Sequence, residues 1–206
     1  MSTFTPPAPP AFRTSSGTEK AARIVTDVLA PANLVIALLL LVGWHSTRSW
    51  TGLGWGLLGA LFCGIVPIGL ILLGVRRGSL TDKHIRLRRQ RLVPMSASLL
   101  SVVAGLVLLR VIGAPREVSA LVVAMLVGLV SSLAVTVRWQ ISIHNSVAAG
   151  SALILVLAFG PVMVLSFAGA AAVGWSRLVL KAHTLAQVLA GTALGGTAAA
   201  AFALLR

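Results

Sequence analysis

Apolar residues run along this chain in long unbroken blocks, not in the spaced rhythm of an amphipathic helix or the alternation of a half-buried strand. Asn33–Gly43, Gly56–Val75 and Val118–Val137 are examples. The longer blocks reach about 20 residues, the length at which a helix crosses the hydrocarbon core of a bilayer. Before them, Met1–Gly17 is rich in Pro, Ser and Thr without an apolar core. It reads as a disordered tail, 1–17, and not as a cleavable signal. Thr18–Leu29 mixes Lys20, Arg23 and Asp27 with apolar residues. That pattern predicts an amphipathic lead-in helix, within 18–31, lying at the membrane interface.

The remainder, 32–206, predicts a transmembrane domain. A first span over about Ala32–Trp44 is short, so the lead-in is expected to lend it a turn. A second runs over about Thr51–Val75, kinked at Pro67. A third and fourth cover about Pro94–Ile112 and Val118–Val137. Val147–Gly174 is too long for one crossing and carries Gly160-Pro161 at its middle, which predicts two short helices joined by a turn. The last span runs from near Thr184 to the C-terminus. The fold class that follows is all-α, a polytopic transmembrane helical bundle of about six to seven spans. Gly191, Gly195 and Gly196 permit close helix packing in lipid, and the Gly191–Gly195 spacing is read as packing within the monomer.

Composition supports this picture. The chain is 57% hydrophobic and 10% charged, too little polar surface for a water-soluble domain of this size. Lys and Arg number 17 against 4 acids, for a net charge of +13. Because the cations sit between apolar runs, the partners expected are membrane lipids and a lipid phosphate substrate, and not nucleic acid. The single cysteine, Cys63, excludes an internal disulfide and reads as a packing residue. With Glu19, Asp27, Asp82 and Glu117 as the only carboxylates, no aspartate cluster can hold Mg²⁺, and no metal or other cofactor is expected. Nothing in the sequence fixes an oligomeric state.

Three polar segments, Arg76–Arg91, Arg138–His144 and Ser176–His183, are separated from one another by pairs of predicted crossings. All three therefore face one side of the membrane, and their cations and histidines can converge. A phosphoryl group in transfer spreads negative charge over its equatorial oxygens, which preorganised cations stabilise. Arg177, Arg91 and Lys83 are candidate donors, joined by the Ser142 hydroxyl and the backbone N–H of Ile143 or His144. Most of the basic run reads as a topogenic loop, with Arg91 the better ligand. Asp82 is expected either to orient Lys83 or Arg91 or to remain solvated, and His45 to be an interfacial polar residue. Gln187 lies one helical turn after His183, so the two side chains share a face.

Ser176-Arg177, the five-residue gap to His183, and Gln187 four residues later resemble the SRxxxxxHxxxD motif of the type 2 phosphatidic acid phosphatase superfamily. Gln187 stands at the Asp position, as in the His-Thr-x-x-Gln ending of dolichyl-diphosphatase-type members. Ile141-Ser142-Ile143-His144 is similar to its PSGH motif, with Pro and Gly replaced. The segment from Lys83 to Arg91 resembles KxxxxxxRP loosely; His84 has the matching spacing, and Leu92 follows in place of Pro. The resemblance implies a metal-independent phosphatase of polyprenyl or diacylglycerol phosphates or diphosphates. His183 would attack phosphorus to form a phosphohistidine, His144 would serve as acid and then base, and Gln187 would fix the tautomer of His183. Lys83, His84, Arg91, Ser142, Ile143, Ser176 and Arg177 would bind the phosphate. A catalytically silent lipid-phosphate binder, a small transporter and a scaffold remain as alternatives. The positive-inside rule sets Arg13, Lys20, Arg23, the basic run, Arg138, Arg177 and Lys181 against Arg48, Arg116 and Arg110. That count puts the site face in the cytoplasm of a multi-pass cell-membrane protein.

Overall fold

The computed structural model describes residues 12–206. Residues 1–11 of the expected tail lie outside them, and Phe12–Thr14 forms a single 3-10 turn. Ser16 then caps α1, Gly17–Val28, through a reciprocal box with Glu19. The following helices are α2, Pro31–Thr47; α3, Trp50–Ala60; α4, Val66–Arg76; α5, Leu92–Val111; α6, Arg116–Arg138; α7, Ile143–Phe159; α8, Ser166–Val179; and α9, Leu185–Leu205. The described residues contain no strand.

Five helical segments are long and apolar enough to cross a membrane: Trp50–Arg76, Arg88–Val111, Arg116–Arg138, Pro161–Val179 and Leu185–Leu205. The pair α1–α2, bent by 45°, makes a sixth if it is one span. By length, then, the count is five to six, at or below the low end of the six to seven expected. The shortfall lies in α7, whose 17 residues reach only ~25 Å against a hydrocarbon core of ~30 Å.

The chain alternates between two ends of the bundle. At one end His45 meets Glu117 at 3.3 Å and stacks on Phe159. Nearby, Arg116 donates to the Leu205 carbonyl and the Arg206 guanidinium to that of Leu157. The polar segments gather at the opposite end. Between the ends, Leu38, Leu39, Val42, Leu109, Leu121, Val122, Ile154 and Phe202 form the buried core, drawn from α2, α5, α6, α7 and α9.

Two sequence features shape the positions of the site helices. Pro67 lacks an N–H, and its ring crowds the carbonyl four residues back. The chain widens into a π turn at Leu61–Ile65, where the Val66 N–H reaches back to the Leu61 carbonyl. The expected disturbance at Pro67 is therefore a π turn between α3 and α4. At the α7–α9 crossing, a Cβ on Gly191 would strike the Ser142 carbonyl, and one on Gly195 the Ser146 carbonyl. These glycines pack within the monomer and bring the backbones of α7 and α9 into contact. Gly160, at φ +93°, turns α7 into the Pro161–Leu165 turn and α8.

Candidate active site

The turn from α8 to α9 is built by backbone bonds. The Ala182 N–H donates to the Arg177 carbonyl at 3.0 Å, and Lys181 takes a left-handed conformation at φ +48°. Thr184 caps α9. The Gln187 side-chain oxygen accepts the Thr184 N–H at 3.1 Å and lies 3.0 Å from His183 Nδ1. Because that oxygen is already an acceptor of a backbone N–H, it also accepts from His183, which places the ring proton on Nδ1. The lone pair is left on Nε2, the position a nucleophile needs. His183 is buried. Burial, then the charges of Arg177 and Arg91, push its pKa down to about 3, against the opposing pull of the Gln187 bond. The ring is neutral at neutral pH.

The segment ahead of α7 is tied to that turn, since the Ser142 N–H donates to the Gln187 carbonyl at 3.1 Å. The Ser142 hydroxyl accepts the Asn145 N–H at 3.3 Å and so caps α7. Ile143 and His144 occupy the first helical positions, where backbone N–H groups have no intrahelical partner. The basic loop is latched across the same segment. Gln140 donates to the Arg86 carbonyl at 3.0 Å, Arg91 Nη1 to the Ile141 carbonyl at 2.9 Å, and Arg88 to that of Val137 at 2.8 Å.

Within the loop, Asp82 accepts the N–H groups of His84 and Arg86 at 2.8 and 3.3 Å. It organises backbone and pairs with neither Lys83 nor Arg91. Ile85 sits at φ +44°, a strained value for a β-branched residue, held by Arg91 Nε on its carbonyl at 2.8 Å. This geometry turns His84 inward. Its Nδ1 lies 3.2 Å from His144 Nε2, and its Nε2 lies 3.0 Å from Asp27 Oδ1 on α1. Lys83 pairs with the same Asp27 oxygen at 2.8 Å, with both side chains about half exposed. Burial lowers the pKa of His84, and Asp27 opposes the effect.

The sequence-predicted residues thus fall into three groups. His84, His144, His183, Gln187 and Arg177 converge. Arg91 and Ser142 adjoin them but bond backbone: Arg91 braces the loop and Ser142 caps a helix. Ser176 turns away; its hydroxyl donates to the Val173 carbonyl at 2.7 Å and lies 3.0 Å from Thr26 Oγ1 of α1. Asp27 and Thr26 carried no local signal in the sequence, since their partners lie 57 and 150 residues away.

Arg177 is the centre of the cluster. It is 1% exposed, and its Nε and Nη1 have no hydrogen-bond partner. It is close enough to act electrostatically on His84, His144 and His183. No described carboxylate pairs with it. Buried guanidinium nitrogens without partners are rare and call for an anion. Beside the cluster lies a cavity of about 490 Å³, with Asp27, Lys83, His84, Arg91 and His144 at its polar end. The rest is largely apolar, including Leu38, Pro67, Met95, Val102, Leu129 and Ile154. Arg177 and His183 do not line it. Among the described residues no three His, Cys, Asp or Glu side chains form a metal-binding group. The chain matches no family model, no curated protein and no solved structure.

Proposed function

We propose that the chain is a membrane-embedded, metal-independent phosphatase of lipid phosphates or diphosphates, with polyprenyl or diacylglycerol chains as the lipid class. The observation that carries this reading is Arg177, a buried guanidinium with Nε and Nη1 unpartnered beside three histidines. A phosphoryl group supplies the anion that such a site lacks. The largely apolar cavity running from the polar cluster into the bundle suits a lipid chain attached to that phosphate. The resemblance of the Ser176–Gln187 segment to type 2 phosphatidic acid phosphatases points the same way.

In this reading His183 Nε2 attacks phosphorus, as the Nδ1–Gln187 contact at 3.0 Å leaves that nitrogen unprotonated. Gln187 orients the ring but contributes no negative charge, so it supports the resulting imidazolium less than a carboxylate would. His144 protonates the leaving oxygen and later takes a proton from water. Arg177 holds the equatorial oxygens, with the first-turn N–H groups of Ile143 and His144 as neutral donors. The distribution of cations supports a site face in the cytoplasm of a cell-membrane protein.

The burial of His183, 4% exposed and away from the cavity lining, favours a second reading as a silent lipid-phosphate binder. Phosphate release by purified protein in detergent with EDTA separates the two. Turnover of a long-chain lipid phosphate that survives the chelator supports the phosphatase. Binding without release supports the binder, and loss of turnover restored by Mg²⁺ removes the histidine mechanism.

A further inference from the structure

A carboxylate on α1 reaches the site by a route the phosphatase reading does not use. Asp27 Oδ1 lies 3.0 Å from His84 Nε2, and His84 Nδ1 lies 3.2 Å from His144 Nε2. A carboxylate only accepts, so its contact places a proton on His84 Nε2. In neutral His84, Nδ1 is then a bare acceptor, and the 3.2 Å contact is donated by His144 Nε2–H. The direction of both bonds is set by the carboxylate at one end. With Nε2 committed, Nδ1 is the nitrogen His144 has left for proton transfer to a substrate. Exposure falls along the line, from 49% for the Asp27 side chain to 16% for His84 and 6% for His144. The row therefore joins the solvated rim to a buried imidazole.

We infer that Asp27 and His84 are positioning residues that orient His144 and support its acid–base role by way of a carboxylate–imidazole–imidazole relay. The inference rests on the phosphatase reading. In the first step, the His183 Nε2 lone pair forms the N–P bond as the P–O bond to the lipid breaks. The P–O electron pair goes to the lipid oxygen, which takes the proton from His144 Nδ1. In the second step, water oxygen attacks phosphorus and the N–P pair returns to His183 Nε2. The water proton goes to His144 Nδ1, which restores the starting state. Burial, then the charges of Arg177 from α8, His84, His183 ahead of α9 and Arg91 from the loop, lower the pKa of His144. In the empty site the ring is therefore neutral, and its Nδ1 proton is the one a phosphate monoester monoanion brings in. His84 itself faces Lys83, Arg177 and Asp27. Among the described residues Asp27 is the only carboxylate bonded to the ring of a site histidine, and it reaches His144 through His84.

The test compares leaving groups. Full-length wild type, Asp27→Asn, Asp27→Glu and His84→Gln are purified, and folding is checked by melting temperature. First-step rates are measured on a long-chain alkyl phosphate and on p-nitrophenyl phosphate, whose aryl oxide leaves without a proton. Asp27→Asn and His84→Gln should slow alkyl phosphate cleavage about tenfold or more, a part of the usual general-acid contribution, with KM little changed. The p-nitrophenol burst should fall at least about threefold less than alkyl cleavage in each variant, since general-acid catalysis is not needed there. Asp27→Glu should restore part of the alkyl activity. Equal slowing of both substrates would assign Asp27 and His84 a structural or charge role, as loss of the Lys83 pair alone would. Unchanged alkyl cleavage would overturn the relay outright. A wild type inert on both substrates would remove the phosphatase reading, and the relay with it.

Discussion

Replacing Arg177 by Met tests the anion site directly. The two side chains are similar in length, so packing in a fully enclosed position is largely kept, whereas the charge and its donors are lost. Nε and Nη1 of Arg177 are buried without partners. A buried unsatisfied polar group costs about 1–3 kcal/mol, and more when charged. In the empty protein, Arg177→Met should therefore be neutral or stabilising by a few kcal/mol, as when buried charges give way to apolar residues. For a chain of about 200 residues, each kcal/mol moves the melting temperature by roughly 2–4 °C. Orthovanadate at about 100 times its Kd should stabilise wild type by ~2.7 kcal/mol and leave the variant unmoved. Tryptophan-monitored melting in detergent reads both effects, and phosphate release from a lipid phosphate should be lost in parallel. Arg177→Lys keeps the charge but not the planar fork, and should show a smaller vanadate shift. A variant that melts below wild type without ligand, or that keeps the vanadate shift, would make the guanidinium a structural element and refute the site.

His183→Ala should abolish phosphate release and any acid-labile phosphoenzyme, with His144→Ala nearly as severe; wild-type turnover in either refutes the assigned roles. Burial holds His183 at about 3, below the 6.5 of a free imidazole, so its contribution to stability is full above pH 6.5. That contribution falls as pH drops towards 3, because the unfolded chain takes up the proton first. His183→Asn should flatten this acid limb of melting temperature against pH. Gln187→Asp should hold activity within about tenfold or raise it, whereas Gln187→Leu should lose more by freeing Nδ1; equal activity of all three proteins would show that the 3.0 Å contact does not matter. With Cys63 replaced, a cysteine at exposed Ser79 should resist an impermeant thiol reagent in intact cells and react after permeabilisation; ready labelling in intact cells would move the site face outside.

The helices were legible because their causes are local. Block length and the Gly160-Pro161 break each mark an element within a few residues; α9 begins where the last span was expected, and α8 follows the break but runs on to Val179, past the Gly174 end of its apolar block. The His183–Gln187 contact was expected from helical spacing, but His183 stands ahead of the Thr184 cap, outside α9, and it is the Gln187 side chain folding back over the cap that makes the contact. What could not be read was the use made of each polar group once segments met. Arg91 stands at the start of α5 with five possible donors, and only the fold decides that Nε and Nη1 go to the carbonyls of Ile85 and Ile141.

Ser176 and Arg177 show why adjacency in a motif does not mean a shared ligand. Neighbouring residues on an α-helix point about 100° apart, so the pair at the end of α8 cannot readily face one phosphate. Arg177 turns towards the histidines, and Ser176 turns to Thr26 at 3.0 Å, where Ala22 of α1 is also fully buried. That second face fixes α1 across α8 and sets Asp27, one residue after Thr26, against Lys83 and His84. The Ser of the Ser-Arg pair thus holds the helix that carries the carboxylate. Substituting Ser176 by Ala should consequently act on alkyl phosphates through His144, in the same sense as Asp27→Asn though more weakly. A phosphate-binding hydroxyl would instead raise KM for alkyl and aryl substrates alike.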